Sequence, residues 1–315
     1  MHLVRISNKP IFKPYPNNRW ERAAVYNAGA VYEDGRLHMI YRATDIGGHE
    51  KYGDYINSLG YAVSKDFYNW QRNDSPIMTS GDPQELRGPE DPRIVKIDGI
   101  YYMVYVGFSN RYNGDYKICL ATSTDLINWD KKGVLLDEEN KDSSLFPEKI
   151  DNEFLLLHRR KPDIWIANSE DLKTFYNHTK IMSPIPDTWE HLKIGIAGPP
   201  VHHPDGWLLF YHAVDKFREY RLGVALLDYK NPRRVLARQS EPVIEPELEW
   251  EVNGWVPNVI FSCATVEAED RYIVLYGGAD SVIGYAYIII EITKSIQINQ
   301  SARCCKIVHC SRPHI

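Results

Sequence analysis

Two acidic residues stand side by side between prolines in Gly88-Pro89-Glu90-Asp91-Pro92-Arg93. The second proline imposes an extended backbone on Asp91, and adjacent strand residues point to opposite faces. One carboxylate is therefore expected to enter a cleft as a positioned acid. The other is expected to find a structural partner, with Arg93 the nearest choice. Cations occur at Lys141, Arg159, Lys193 and His212, each in or beside a strand-like segment. Charged residues on strands are rarely buried unless they are paired or bound to something. Cations that converge on a concave site suit an anion, and the fork of an arginine suits phosphate.

These residues are far apart in sequence and need a fold that gathers them. A turn-forming Asp recurs at Asp34, Asp98, Asp151, Asp205 and Asp270, at intervals of 53 to 65 residues. Each begins an aromatic strand that ends in a polar cluster: IYRATD, VYVGFS, LLHRRKP, FYHAVD and LYGGAD. A second strand precedes each turn, so each pair reads as a hairpin. LGYAVSKD, YKICLATSTD, DIWIANSED and RLGVALLDY supply third strands. One small sheet per period is the pattern of an all-β, five-bladed β-propeller. A propeller collects the same end of every blade around one axis, so Arg42, His212 and Asp280 can share a pocket.

Three of the third strands run into a shared turn at Ser64-Lys65-Asp66, Ser123-Thr124-Asp125 and Ser169-Glu170-Asp171. Ser and Asp bond to nearby backbone and close turns, so these read as structural punctuation. The fourth blade carries Asn231-Pro232 instead. The simplest division is one catalytic propeller over 1–291, opened by an arm over 1–20 and followed by an irregular tail over 292–315. Cys304, Cys305 and Cys310 crowd that tail near His309 and His314, in a spacing that fits no standard zinc pattern. Cys119 and Cys263 are expected as reduced core residues.

The 21 Tyr and 8 Trp suit strands and, in clefts, sugar stacking. A net charge of -5 gives no general attraction to nucleic acid or anionic membrane. No apolar run approaches the length of a membrane-spanning helix, and the first residues carry no apolar leader core, so a cytoplasmic protein is expected. No Walker loop, GxGxxG, HExxH or GxSxG pattern occurs, and no metal or cofactor is expected. One acid and one basic pocket on a propeller point to glycosidic chemistry, in which a carboxylic acid protonates the leaving oxygen.

Ordered stretches across roughly residues 10 to 287 resemble glycoside hydrolase family 130, the mannoside phosphorylases and related mannosidases. They include YNAGA, IYRATD, GYAVS, GPEDPRI, LFPEKI, DIWIANSEDL, the WExxKIG run, GWLLFYHAV, VPNVIF and YGGAD. The resemblance implies a five-bladed propeller in which Asp91 is the general acid, its proton passing through a hydroxyl of the bound mannose. By the same matching, Asn27, Arg42, Asp45 and Asp280 hold that mannose. Lys141, Arg159, Lys193, His212 and Tyr211 fall at or near positions that contact phosphate. The implied reaction is inverting phosphorolysis of a β-mannoside to α-mannose 1-phosphate, with β-1,2 links favoured and β-1,4 next. The implied partners are a mannose-containing oligosaccharide and inorganic phosphate, with a second copy of the chain left open.

One departure stands out. Lys141-Asp142 occupies the place of an Arg-Asn pair upstream of the Phe-Pro, and Asp142 is expected to repel phosphate. An inverting β-mannosidase is the main alternative, and it needs a second carboxylate to activate water, with Glu148 and Glu190 as candidates. A non-catalytic sugar-binding propeller has no obvious use for Asp91 and the basic cluster. A glycosidase of the arabinan or fructan type rests on three carboxylates and leaves the cations surplus.

Overall fold

The computed structural model of the protein describes residues 1–46 and 55–290. The expected tail, with its three cysteines and two histidines, lies outside the described residues. Five antiparallel sheets form the five blades. The first holds Ala24–Glu33, Arg36–Thr44, Asn57–Ser64 and Gln71–Arg72. The second holds Gly88–Ile97, Ile100–Phe108, Tyr116–Ser123 and Asp130–Val134. The third holds Ser144–Leu145, Phe154–Arg160, Asp163–Ser169 and Tyr176–Met182. In the fourth, Lys193–Ile196 and Val201–His203 both pair with Gly206–Val214, followed by Tyr220–Leu227 and Val235–Arg238. The fifth holds Ile260–Ala268, Arg271–Gly278 and Val282–Ile289, and Val4–Arg5 supplies its outer strand.

The repeated Asp turns have a backbone cause. Asp34 and Gly35, Asp98 and Gly99, and Asp151 and Asn152 all have φ between 50° and 81°. Two successive left-handed residues make the hairpin turn whose twist matches the strands it joins, and Asp, Asn and Gly tolerate it best. The Ser-x-Asp turns are structural as expected. Asp66 accepts from the backbone of Tyr68 and Asn69, and Asp125 from that of Ile127 and Asn128. The fourth blade keeps this device after all, because Asp228 accepts from Lys230 and Asn231.

The hydrophobic core is divided among the blade interfaces. One cluster joins the first and fifth blades through Val25, Met39, Ala264 and Leu275. Others join first to second, second to third, third to fourth and fourth to fifth. The innermost strands pack side by side around the axis: Ala24–Glu33 packs on both Gly88–Ile97 and Ile260–Ala268. Cys119 and Cys263 are buried and free.

A second repeated device fastens the blades. A buried Glu accepts from a Tyr on the second strand and from a cation nearby. The sets are Glu21 with Tyr41 and Arg72, Glu85 with Tyr105 and Lys131, Glu190 with Tyr211 and Arg238, and Glu251 with Tyr276 and Arg5. In three of them a Trp stacks on the Tyr: Trp20, Trp189 and Trp250, at 5.7–6.0 Å. Gly60, Gly223 and Gly284 lie under these rings, where a Cβ would come within 2.4–2.6 Å of ring atoms. The third blade differs. His158 takes the Tyr position and bonds His178 at 3.0 Å and Asn140 at 3.1 Å.

Candidate active site

A cavity of about 670 Å³ opens at one end of the axis. It lies where inner strands begin and second strands end. Asn27, Asp91 and Asp142 all have left-handed backbones there, at φ 48°, 52° and 52°. The first two sit in β-bulges, between Tyr26 and Gly29 and between Glu90 and Arg93. A bulge breaks the strict alternation of faces and re-aims a side chain. The fit is close, since a Cβ on Gly29 would lie 2.4 Å from the Pro92 carbonyl oxygen.

The bulge explains how Glu90 and Asp91 come to share cations. Arg42 donates from Nη1 to Asp91 at 3.2 Å, from Nη2 to Glu90 at 2.8 Å and from Nε to Asn57 at 2.9 Å. Lys141 donates to the other Glu90 oxygen at 2.9 Å. Glu90 therefore takes Arg42 and Lys141 as partners, not Arg93. Arg93 instead donates to the carbonyl oxygens of Ala197, Ile196 and Asp91. Asp91 lines the cavity and accepts a further bond from Asn27 at 2.9 Å. Burial pushes its carboxyl up, but Arg42, Lys141 and Arg93 outweigh that and hold it below the usual range.

The third and fourth blades supply the basic sector. Lys141, Asp142, Arg159 and Lys193 line the wall. Arg159 binds Asp142 through Nη1, while its buried Nε has no partner. Asp142 also lies 3.3 Å from His212 and 3.6 Å from Arg93. Burial would raise its carboxyl, yet Arg159, His212 and Arg93 hold it well below the ordinary value. The expected repulsion is thus offset, because Asp142 is itself enclosed by cations. Lys193 has no carboxylate within 4 Å among the described residues. Burial, and then Arg159, push its ammonium down to about 8.

Asn27, Arg42, Asp91, Lys141, Arg159, Lys193 and Asp280 meet at this cavity. Three other expected residues do not reach it. His212 is fully buried behind Asp142. Asp45 accepts from the Ile56 backbone at 2.9 Å and is not part of the wall. Tyr211 faces the opposite side of its strand, stacked on Trp189 and bonded to Glu190. Its equivalents Tyr41, Tyr105 and Tyr276 were the signal for that role. Both proposed water-activating bases also lie elsewhere. Glu190 belongs to the same latch, and Glu148 is half-buried beside Tyr229 and His202.

The cavity holds residues that the sequence reading passed over. Tyr26, Tyr55, Tyr220, Trp255 and Phe261 give it aromatic faces. Arg42 lies 4.5 Å from the Tyr26 ring centre and Lys193 5.1 Å from that of Tyr220. Aromatic faces beside charged groups are the usual furniture of a sugar site, with one apolar side and polar edges.

The chain matches the profile of a protein family described as beta-1,4-mannooligosaccharide phosphorylase over residues 2–297. It is 60% identical to the 1,2-beta-oligomannan phosphorylase of Thermoanaerobacter sp. (strain X514), covering 90% of this chain and 96% of that one. It is 53% identical to a beta-1,2-mannobiose phosphorylase of the same organism, covering 91% and 97%. The fold is similar to that of the beta-1,2-mannobiose phosphorylase of Listeria innocua in complex with beta-1,2-mannobiose. There the TM-score is 0.84 at 24% identity, over 93% of this chain and 98% of the other. With its five blades, its axial cavity and a match along nearly its whole length, the chain belongs to glycoside hydrolase family 130.

Proposed function

We propose that the protein is an inverting β-mannoside phosphorylase acting on β-1,2-linked mannobiose or mannooligosaccharides. Inorganic phosphate is the co-substrate. It attacks the anomeric carbon from the face opposite the leaving sugar, and α-mannose 1-phosphate and a shortened sugar are released. Asn27, Arg42 and Asp280 hold the mannose, and Asp91 directs the proton to the leaving oxygen through a sugar hydroxyl. Arg159, Lys193 and Lys141 hold phosphate.

The observation that carries this reading is the unused positive capacity of the basic sector. Among the described residues, Arg159 Nε is buried without an acceptor and Lys193 has no carboxylate partner. A buried donor left unmade costs about 1–3 kcal/mol, so a site built this way is stabilised by an arriving anion. Phosphate is already anionic and needs no general base. The β-1,2 preference rests on the names of the relatives that are 60% and 53% identical.

The test is incubation with β-1,2- and β-1,4-mannobiose, with and without inorganic phosphate. Mannose 1-phosphate is expected from the β-1,2 sugar only when phosphate is present. Free mannose formed at equal rates in both conditions would overturn the reading in favour of hydrolysis.

A further inference from the structure

A proton donor must hold a proton, and the surroundings of Asp91 favour its loss. Asp91 faces Arg42 and Asn27 directly, with Lys141 and Arg93 nearby. The second carboxyl of the cavity has the opposite surroundings. Among the described residues, Asp280 has no hydrogen-bond donor and no cation within 4 Å. Its backbone position is fixed. The turn that carries it has left-handed backbone at Ala279 and Asp280, φ 45° and 51°. Ala279 is tied to Val259 and Val256 through its backbone, and Ser281 to Gly278 and Trp255. A Cβ on Gly254 would lie 2.5 Å from the Ala279 carbonyl oxygen, so the turn is also walled in.

The charges around Asp280 can be counted. Glu90, Asp91 and Asp280 are three carboxyls around Arg42 and Lys141, and the further cation Arg93 acts on Asp91 and Asp142. The guanidinium of Arg42 is committed to Asn57, Asp91 and Glu90, and Lys141 to Glu90. The other titratable groups that face it are Tyr26, Tyr55 and Tyr220, which are neutral phenols in this range. Of the three carboxyls, Asp280 is the one with no bonded cation among the described residues, so a proton is held most readily there. Burial, reinforced by Asp91 and Glu90 against the pull of Arg42, pushes Asp280 up to about 6.

We propose that Asp280 carries the catalytic proton in the resting enzyme and loads it onto Asp91 through the bound sugar. This rests on the phosphorylase reading above. The balance is closed. Asp280 gives its proton to a sugar hydroxyl, which passes its own to Asp91. Asp91 returns a proton by the hydroxyl relay to the departing glycosidic oxygen as the bond to the anomeric carbon breaks. Hydrogen phosphate forms the new carbon–oxygen bond, and the proton it sheds restores Asp280. No oxidant or further reactant enters.

The test has two arms. In the free enzyme, carboxyl carbons are titrated by NMR in wild type, Asp280→Asn and Asp91→Asn. A midpoint near pH 6 is expected in wild type, is expected to fall in Asp91→Asn, which removes a carboxylate that raises it, and to vanish in Asp280→Asn. A midpoint near pH 6 that persists in Asp280→Asn, or none in that range in wild type, overturns the proposal. In the second arm, kcat for β-1,2-mannobiose is expected to fall about 100-fold in Asp280→Asn, by a larger factor than the mannobiose KM rises from the loss of its contact to the sugar. The wild-type kcat/KM should decline as pH rises through about 6, and the variant should lack that step. Phosphate titrates nearby, so the comparison between the two proteins reads the residue. A raised KM with unchanged kcat and an unchanged step would make Asp280 a binding group only. Phosphate-independent release of mannose would instead overturn the phosphorylase reading, and the NMR arm would still report on the proton.

Discussion

Tyr211 and His212 are neighbours on one strand, and they belong to different machines. The layer that contains Tyr41, Tyr105, Tyr211 and Tyr276 fastens four of the five blades through a buried Glu and its cation. The next residue in those four blades is Arg42, Val106, His212 or Gly277, which points to the other face of its strand. The fastening layer repeats, and the axial layer does not. In a protein built from copies of one unit, repetition marks what every copy must do to stand. Departure from repetition marks what only one place must do. The latch ions are satisfied within their own blade. Among the described residues, the axial ions keep spare donors, as at Arg159, or have no bonded ion partner, as at Asp280 and Lys193.

That contrast is open to attack from either side. Removing a latch carboxylate by Glu251→Ala leaves the Tyr276 hydroxyl without its acceptor and Arg5 with only Glu247 and the Glu245 carbonyl, and should lower stability by about 3–5 kcal/mol. Denaturant unfolding reads this, and the substrate KM values of the folded fraction should not move. A large change in phosphate KM would merge the two layers. In the axial layer, Asp91→Asn should reduce kcat by roughly 10²–10⁴-fold with little loss of melting temperature. Retained turnover would remove Asp91 from the chemistry.

Arg159→Ala should raise the phosphate KM by about 10- to 100-fold, as expected for one charge-assisted contact of about 1.5–3 kcal/mol, and leave the mannoside KM nearly unchanged. Equal effects on both would move Arg159 out of the phosphate site. The smallest effect is one of pH. Lys193 sits near 8 because it is buried, so it is charged below that pH and neutral above it. The phosphate KM should rise a fewfold between pH 7 and 9, and Lys193→Arg, which stays charged, should flatten the rise. An identical slope in the variant would assign the titration elsewhere.

The scaffold was legible because its signals are local. Asp-Gly turns, period-two strands and Ser-x-Asp closures are each set by a few adjacent residues. The family motifs then placed Asn27, Arg42, Asp91, Arg159 and Lys193 at one cavity. What the sequence hid depends on backbone irregularity and on distant partners. Simple alternation separated Glu90 from Asp91, and the bulge that lets Arg42 reach both has no strong sequence mark. Asp142 read as a repulsive intrusion because Arg93, Arg159 and His212 come from other strands to surround it. Tyr211 was drawn to phosphate by its neighbour, although its repeat partners had already given it a different task.

The outer strand of the fifth blade has a consequence for how the molecule comes together. Val4–Arg5 pairs with Val282–Ile289, so the two ends of the described chain are hydrogen-bonded to each other. Contacts of such long sequence separation form slowly, because their loop-closure entropy must be met before they add any stability. Four blades can assemble as each hairpin follows the last, while the fifth waits for both ends. Until then Val282–Ile289 is an open edge, free to accept the same strand from another molecule. Dilute refolding therefore favours the closed ring, and crowded refolding favours chains that have exchanged their first strands.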